Sequence, residues 1–166
     1  MQTIDSLDDM FLLEIKDLYH AEKQLTRALP KAARKAKSSE LRSAIEEHLQ
    51  QTEGHVNLLE EVFKMLGQPP KAKVCEAMRG ILKEAEEILS SKVTPPVKDA
   101  AIIGAAQKIE HYEIASYRTI MQWASQMGRD DIKQVLGQIL DEEEETDRKL
   151  SELAKTSINS RALAEV

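Results

Sequence analysis

A chain of 166 residues with 31% charged residues, six glycines and five prolines has the length of one domain and the composition of a soluble, helix-rich one. Its formal net charge of −6 disfavours a nucleic-acid partner, because phosphate binding draws on Lys and Arg, and no run reaches the roughly 18 apolar residues of a membrane span. Cys75 is the single cysteine, which excludes an intrachain disulfide or a cysteine-rich metal knuckle and makes a reducing cytoplasm the expected setting.

The opening MQTIDSLDDMFLL is acidic ahead of its apolar residues, the wrong order for a secretory signal. A first helix is predicted from about Ser6 to Lys37, with Pro30 as a kink. Its end gathers Lys31, Arg34, Lys35 and Lys37, where cations complement the helix dipole. Ser38 or Ser39 caps a second helix that should close at Gly67, ahead of Gln68-Pro69-Pro70. A shorter helix is expected over Val74 to Ser91. Thr94-Pro95-Pro96 then opens a long one from Val97 to Met127, closed by Gly128. The last begins at Asp130 or Asp131 and fades near Ser157, leaving SINSRALAEV as a frayed end.

Loop lengths fix how these pieces meet. The first two long helices have a tight connection, as do the last two, so each pair forms an antiparallel hairpin. The segment between hairpins is long enough to run the length of a bundle. The expected fold is therefore all-α: a ferritin-like four-helix bundle of two antiparallel hairpins, with a crossover that contains a short fifth helix. Residues 1–160 form the single domain and 161–166 its tail.

Each long helix carries an apolar stripe at 3- and 4-residue steps, and each stripe is polar at its centre. The stripes run through Leu18, Glu22 and Leu25; Ile45, His48, Thr52, His55 and Leu59; Ile103, Gln107, Glu110 and Ile114; and Ile139, Glu143, Thr146 and Leu150. Counting outward from the two hairpin turns sets Glu22 level with Thr52–His55. Glu110 and Glu113 fall level with residues 145 to 148, which include Asp147, and Glu143 lies about one turn away. The polar positions thus meet as one layer. Glu22, Glu110 and Glu143 supply inward carboxylates, Glu113 and Asp147 stand one step aside, and His55, less surely His48, adds an imidazole.

Buried carboxylates crowded together repel one another or hold protons, unless cations neutralise them. Mixed carboxylate and imidazole ligands suit two iron or manganese ions better than calcium. A cation-free network of paired or protonated carboxylates is the other reading. The run Asp141 to Glu145 is otherwise a solvated face, with only Glu143 in phase with the core.

A second apolar row on the second helix (Leu49, Val56, Phe63) points to a two-fold helical interface. So does one on the fourth (Ile102, Ala106, Ile109, Ile120, Trp123), although Glu113 and Ser116 interrupt it.

The segments DLYHAEKQLTRALPKAA, EEHLQQTEGHV, AAQKIEHYEIASY and DEEEETDRKL resemble the YciE/YciF-like family of bacterial stress proteins, over nearly the whole chain. The resemblance implies a ferritin-like bundle, a homodimer and kinship with rubrerythrin-type di-iron proteins, but no defined reaction. Against the wider ferritin-like ligand pattern, Glu22 matches the first-helix glutamate, and Glu110 or Glu113 that of the third bundle helix. The Glu-x-x-His pair of the second helix is replaced by Gln50-x-x-Glu53 or Thr52-x-x-His55, and that of the last by Glu143-x-x-Thr146 beside Asp147. The candidate metal ligands are therefore Glu22, Glu53, His55, Glu110, Glu113, Glu143 and Asp147. The expected function is a stress-response protein whose metal site handles oxygen or peroxide, or alternatively a non-catalytic structural protein with a vestigial polar layer. Metal storage is a third reading, for which a small dimer would lack a cage.

Overall fold

Side-chain acceptors mark where three of the helices begin. Ser6 accepts from the Asp9 amide, Ser38 from the Leu41 amide, and the Cys75 sulfur from the Met78 amide. The computed structural model describes residues 4–164, among which every regular element is helical. The elements are α1 (Leu7–Lys35), α2 (Ser39–Met65), α3 (Glu76–Ser90), α4 (Pro95–Gln126) and α5 (Asp130–Leu153). A π turn (Ala154–Ile158) and α6 (Asn159–Leu163) follow. Residues 1–3 of the expected domain and 165–166 of the expected tail lie outside the described residues.

Two glycines close the long helices at one end of the bundle. Gly67 and Gly128 have φ of +66° and +69°, a left-handed conformation that costs any residue with a Cβ. After α2, the Gly67 amide donates to the Lys64 carbonyl and Gln68 to Phe63; after α4, Gly128 donates to Ser125 and Arg129 to Ala124. Both are Schellman stops. α1 ends at Lys35 rather than Lys37 because the next amides are taken elsewhere: Asp99, buried on α4, accepts from Lys37 and Ser38 at 2.8 Å each.

Those contacts set the topology. Asp99 places the start of α4 beside the α1–α2 turn, and at the opposite end Arg129 donates to the Met65 carbonyl at 3.1 Å. α4 therefore runs parallel to α2, and each pair of neighbouring long helices is antiparallel. The crossover climbs the bundle between them. It is fastened where Cys75 lies 3.0 Å from the Tyr112 hydroxyl, which in turn donates to Asp17. Burial, then the neighbouring Asp17, pushes the Cys75 thiol up, so it remains a neutral donor.

The apolar core comes in two parts. One holds Phe11, Ile15, Leu59, Ile120, Ile132 and Leu136 toward the glycine-closed end. The other holds Leu25, Leu29, Leu41, Ile45, Ile102 and Leu150 toward the Asp99 end. The polar stripe centres lie between them.

Two expectations change. The chain stays helical past Ser157 to Leu163, and Ile158 is buried in the second core cluster. Ile158 lies two 4-residue steps past Leu150 by way of Ala154, and the π turn over Ala154–Ile158 keeps that face on the core. The extra apolar rows are also largely covered within the chain. Phe63, Ile102, Ile109 and Ile120 are buried, and Leu49, Val56, Ala106 and Trp123 pack half-buried against the core.

Candidate functional site

Helical spacing brings the polar residues to one level. On α2, His48, Thr52 and His55 are four and three residues apart and so share a face. On α4, Glu110, Glu113 and Tyr117 do the same, and on α5 Glu143 and Thr146. Glu22 comes from α1. All of these are buried, and Glu22, Thr52, His55, Glu113, Tyr117 and Glu143 are wholly inaccessible.

Their donor atoms form two groups that share one residue. Glu22, His55 and Glu143 make one; His48, Glu110, Glu113 and Glu143 make the other, with the ligand atoms of each group within 4.8 Å of one another. His55 Nδ1 stands 3.1 Å from Glu143 and 3.5 Å from Glu22. His48 Nε2 stands 3.2 Å from Glu110. Despite those distances, neither nitrogen has a hydrogen-bond partner, and neither do Glu22 Oε2, Glu110 Oε2 or any carboxylate oxygen of Glu113 and Glu143. Buried polar atoms are nearly always paired. Unpaired carboxylate and imidazole atoms converging on a common interior are the arrangement that cation ligands take.

The outward atoms, by contrast, are held. His55 Nε2 lies 2.9 Å from Glu142 Oε2 on α5, which favours a proton on Nε2 and leaves Nδ1 to face inward. Thr146 donates to Gln51 and can then accept from His48 Nδ1 at 3.4 Å, leaving His48 Nε2 as the inward lone pair. Tyr117 donates to Glu22 Oε1 at 2.6 Å. Thr52 spends its hydroxyl on the His48 carbonyl, at 2.8 Å.

Electrostatics follows from burial and crowding. Burial, reinforced by the neighbouring carboxylates, raises Glu110 and Glu113 well above the usual carboxylate range. Burial also raises Glu22, against the opposing pull of His55. It would raise Glu143 too, but the imidazoles of His55 and His48 outweigh it and hold Glu143 low. Burial opposes a charge on His55, yet Glu143 and Glu22 lift it to about 11. His48 is pushed down by burial and stays neutral. Without cations, then, burial and crowding favour the neutral form of Glu22, Glu110 and Glu113, while Glu143 keeps its charge beside His55.

Of the sequence-derived candidates, Glu22, His55, Glu110, Glu113 and Glu143 come together. Glu53 does not: it is exposed on α2, one residue off the inward stripe. Asp147 stands at the rim, where it accepts from Gln107 at 3.2 Å and lies 3.2 Å from exposed His111. His48, the weaker of the two histidine candidates, is fully part of the layer; its place on the α2 stripe was the signal for it. Glu142 and Gln51, the outer partners, carry no such signal, because both sit off the stripes.

A one-crossover helical bundle with a carboxylate- and imidazole-lined layer between two apolar cores defines a ferritin-like class of chain. Within that class the family is fixed by comparison: residues 6–163 match the family described as Domain of unknown function (DUF892), and the chain belongs to it. It is 41% identical to Protein YciF of Escherichia coli K12 over 158 residues, 95% of each chain. The crystal structure of the E. coli stress protein YciF matches with a TM-score of 0.90, covering 94% of this chain and 99% of that one. YcfI of Rhodopseudomonas palustris matches at 40% identity and a TM-score of 0.89, covering 90% and 96%. A protein of Xanthomonas campestris pv. campestris at 22% identity shares the fold alone, with a TM-score of 0.75 over 96% and 97% of the two chains. No helix among the described residues is long and apolar enough to cross a membrane.

Proposed function

We infer that this chain is a stress-response protein whose core layer holds two iron or manganese ions. Glu22, His55 and Glu143 would hold one, and His48, Glu110, Glu113 and Glu143 the other. The observation that carries this reading is the set of buried, unpartnered carboxylate and imidazole atoms in two groups that share Glu143. The stress role rests on likeness to the E. coli stress protein YciF.

Bound iron or manganese would supply Lewis acidity and a one-electron redox change toward oxygen or peroxide. The chain supplies the rest. Tyr117 fixes one oxygen of Glu22, Glu142 and Thr146 orient the two imidazoles, and the apolar clusters exclude bulk water from both ends. Where ferritin-like proteins carry a second Glu and His, this chain has Thr52 and Thr146. His48 and Glu113 restore the number of ligands from neighbouring turns.

Elemental analysis of protein purified without chelator tests the reading. About two equivalents of iron or manganese are expected, by the two-metal precedent, with loss in Glu22→Ala and in Glu110→Ala. Protein that stays metal-free after reconstitution would sink it. That outcome would favour a structural role, for which the observation is the approach of His55 Nδ1 to Glu143 at 3.1 Å inside the layer. Association into a homodimer belongs to the proposal on family resemblance, and a monomer by sedimentation at micromolar concentration would remove it.

A further inference from the structure

A groove of about 700 Å³ runs between α1, α3 and α4. Its volume lies within the roughly 300–1,000 Å³ of small-molecule sites. Leu25, Leu29, Ile102 and Ile109 line it from the bundle, and Leu82 and Leu89 from α3.

α3 is pinned at both ends, and the groove follows its inner side between those ties. At its start Cys75 is tied to Tyr112, and at its end Lys98 donates to the carbonyls of Leu89 and Ser91 at 3.1 and 2.9 Å. Between those ties only Met78 is buried. Ile81, Leu82 and Leu89 pack partly buried against the second core cluster, and Leu82, Ile88 and Leu89 turn the rest of their apolar surface to the groove.

The rim is positive in a chain whose net charge is −6. Arg27, Lys31 and Lys83 line the groove, and among the described residues none is paired with a carboxylate. Arg79 also lines it but is bound by Glu76, and Glu86 is the one acid there. Unneutralised cations round an apolar trough select a ligand with a long hydrocarbon body and an anionic head.

We propose that the groove binds a free long-chain fatty acid, with its hydrocarbon between α3 and the bundle and its carboxylate met by Arg27, Lys31 and Lys83. A second copy of the chain fits less well. Two-fold self-docking of this face would set one positively charged rim against the other. An extended peptide would bury backbone donors and acceptors against aliphatic side chains with few partners for them. The groove takes its ligand independently of any metal in the core.

Titration calorimetry of the full chain with oleate, below its micelle concentration and with chelator present, tests this. One-to-one saturable binding is expected, with oleyl alcohol at least tenfold weaker. Ala28→Phe, which fills the groove from α1, should weaken oleate at least tenfold. The paired surface variant Lys31→Glu and Lys83→Glu should weaken oleate about tenfold and leave the alcohol unchanged. Circular dichroism confirms that each variant is folded, and the exposed lysine pair carries the test if Ala28→Phe is not. No saturable binding, equal affinity for the alcohol, or full affinity in the lysine pair variant would overturn the proposal. So would capture only by anionic phospholipid vesicles, which would make the face a membrane-docking surface.

Discussion

The Tyr117 hydroxyl on α4 donates a 2.6 Å hydrogen bond to Glu22 Oε1 on α1, both side chains being wholly inaccessible. Among the described residues it is the one direct hydrogen bond from the apolar cluster below into the polar layer's first-helix carboxylate. Replacing Tyr117 with Phe keeps the ring and removes the donor. An unsatisfied buried acceptor costs about 1–3 kcal/mol, so thermal unfolding of the chelated Tyr117→Phe protein should show a loss of that size. No loss would mean that Glu22 finds another donor.

Glu143 belongs to both ligand groups, whereas His55 and His48 belong to one each. Glu143→Gln should therefore abolish binding at both positions, while His55→Ala and His48→Ala should each leave about one equivalent, given two in the parent protein. Thr146→Val removes the oxygen beside His48 Nδ1, and loss of such an orienting partner costs about 10–100-fold in affinity. Metal counted per chain in the four variants is the measurement. Loss of all metal in either histidine variant would argue for a single position.

The cation-free protein should be more stable at mildly acid than at neutral pH. Glu110 and Glu113 have folded values raised above the ordinary 4.5, so their contribution is complete below that pH and is lost as pH rises toward the folded values. His55, raised from 6.5 to about 11, acts in the same direction: its contribution is full below 6.5 and declines above. Glu143 is depressed, and what it contributes disappears only as pH falls below 4.5 through its folded value. His48, lowered from 6.5, opposes Glu110, Glu113 and His55 below that pH, but Glu22 is raised like those two glutamates, and the three carboxyls with His55 outweigh it. Calorimetry in chelator should give a Tm that climbs as pH drops from neutral toward 5 and falls again in stronger acid. A monotonic fall from neutral pH would contradict these signs.

Asp99 carries the connection between hairpins at the far end. Two charge-assisted bonds to backbone amides are at stake, each worth about 1.5–3 kcal/mol. Asp99→Ala should cost roughly 3 kcal/mol, which at this chain length is about 6–12 °C in Tm. Asp99→Asn keeps an acceptor for one amide and should fall between. An unchanged Tm in Asp99→Ala would show that water replaces the carboxylate.

What the sequence made legible is what obeys a helical period. The stripes of α1, α2, α4 and α5 located the layer, because a residue three or four steps from a core leucine must face the core. Glu53 and Asp147 show the limit of that rule. Glu53 entered through the family ligand pattern and not through the stripe, and one residue of helix turns a side chain about 100° away. Asp147 is likewise one position past Thr146, and its carboxylate is taken by Gln107 and His111 at the rim. The ends Gly67 and Gly128 were readable because a left-handed stop selects glycine. The groove was not, since it depends on how far α3 stands from the bundle, a distance that no local pattern encodes.

The amides of Lys37 and Ser38 find their carboxylate 62 and 61 residues further along the chain. A ribosome makes the chain from its first residue onward, and N-terminal units fold first as they emerge. The α1–α2 hairpin must then wait with its turn unlatched, and with Glu22, His48 and His55 still wet, until the crossover and α4 have left the exit tunnel. Contacts so distant in sequence slow folding. The newborn hairpin is thus the stage at which this protein has most need of a chaperone's shelter.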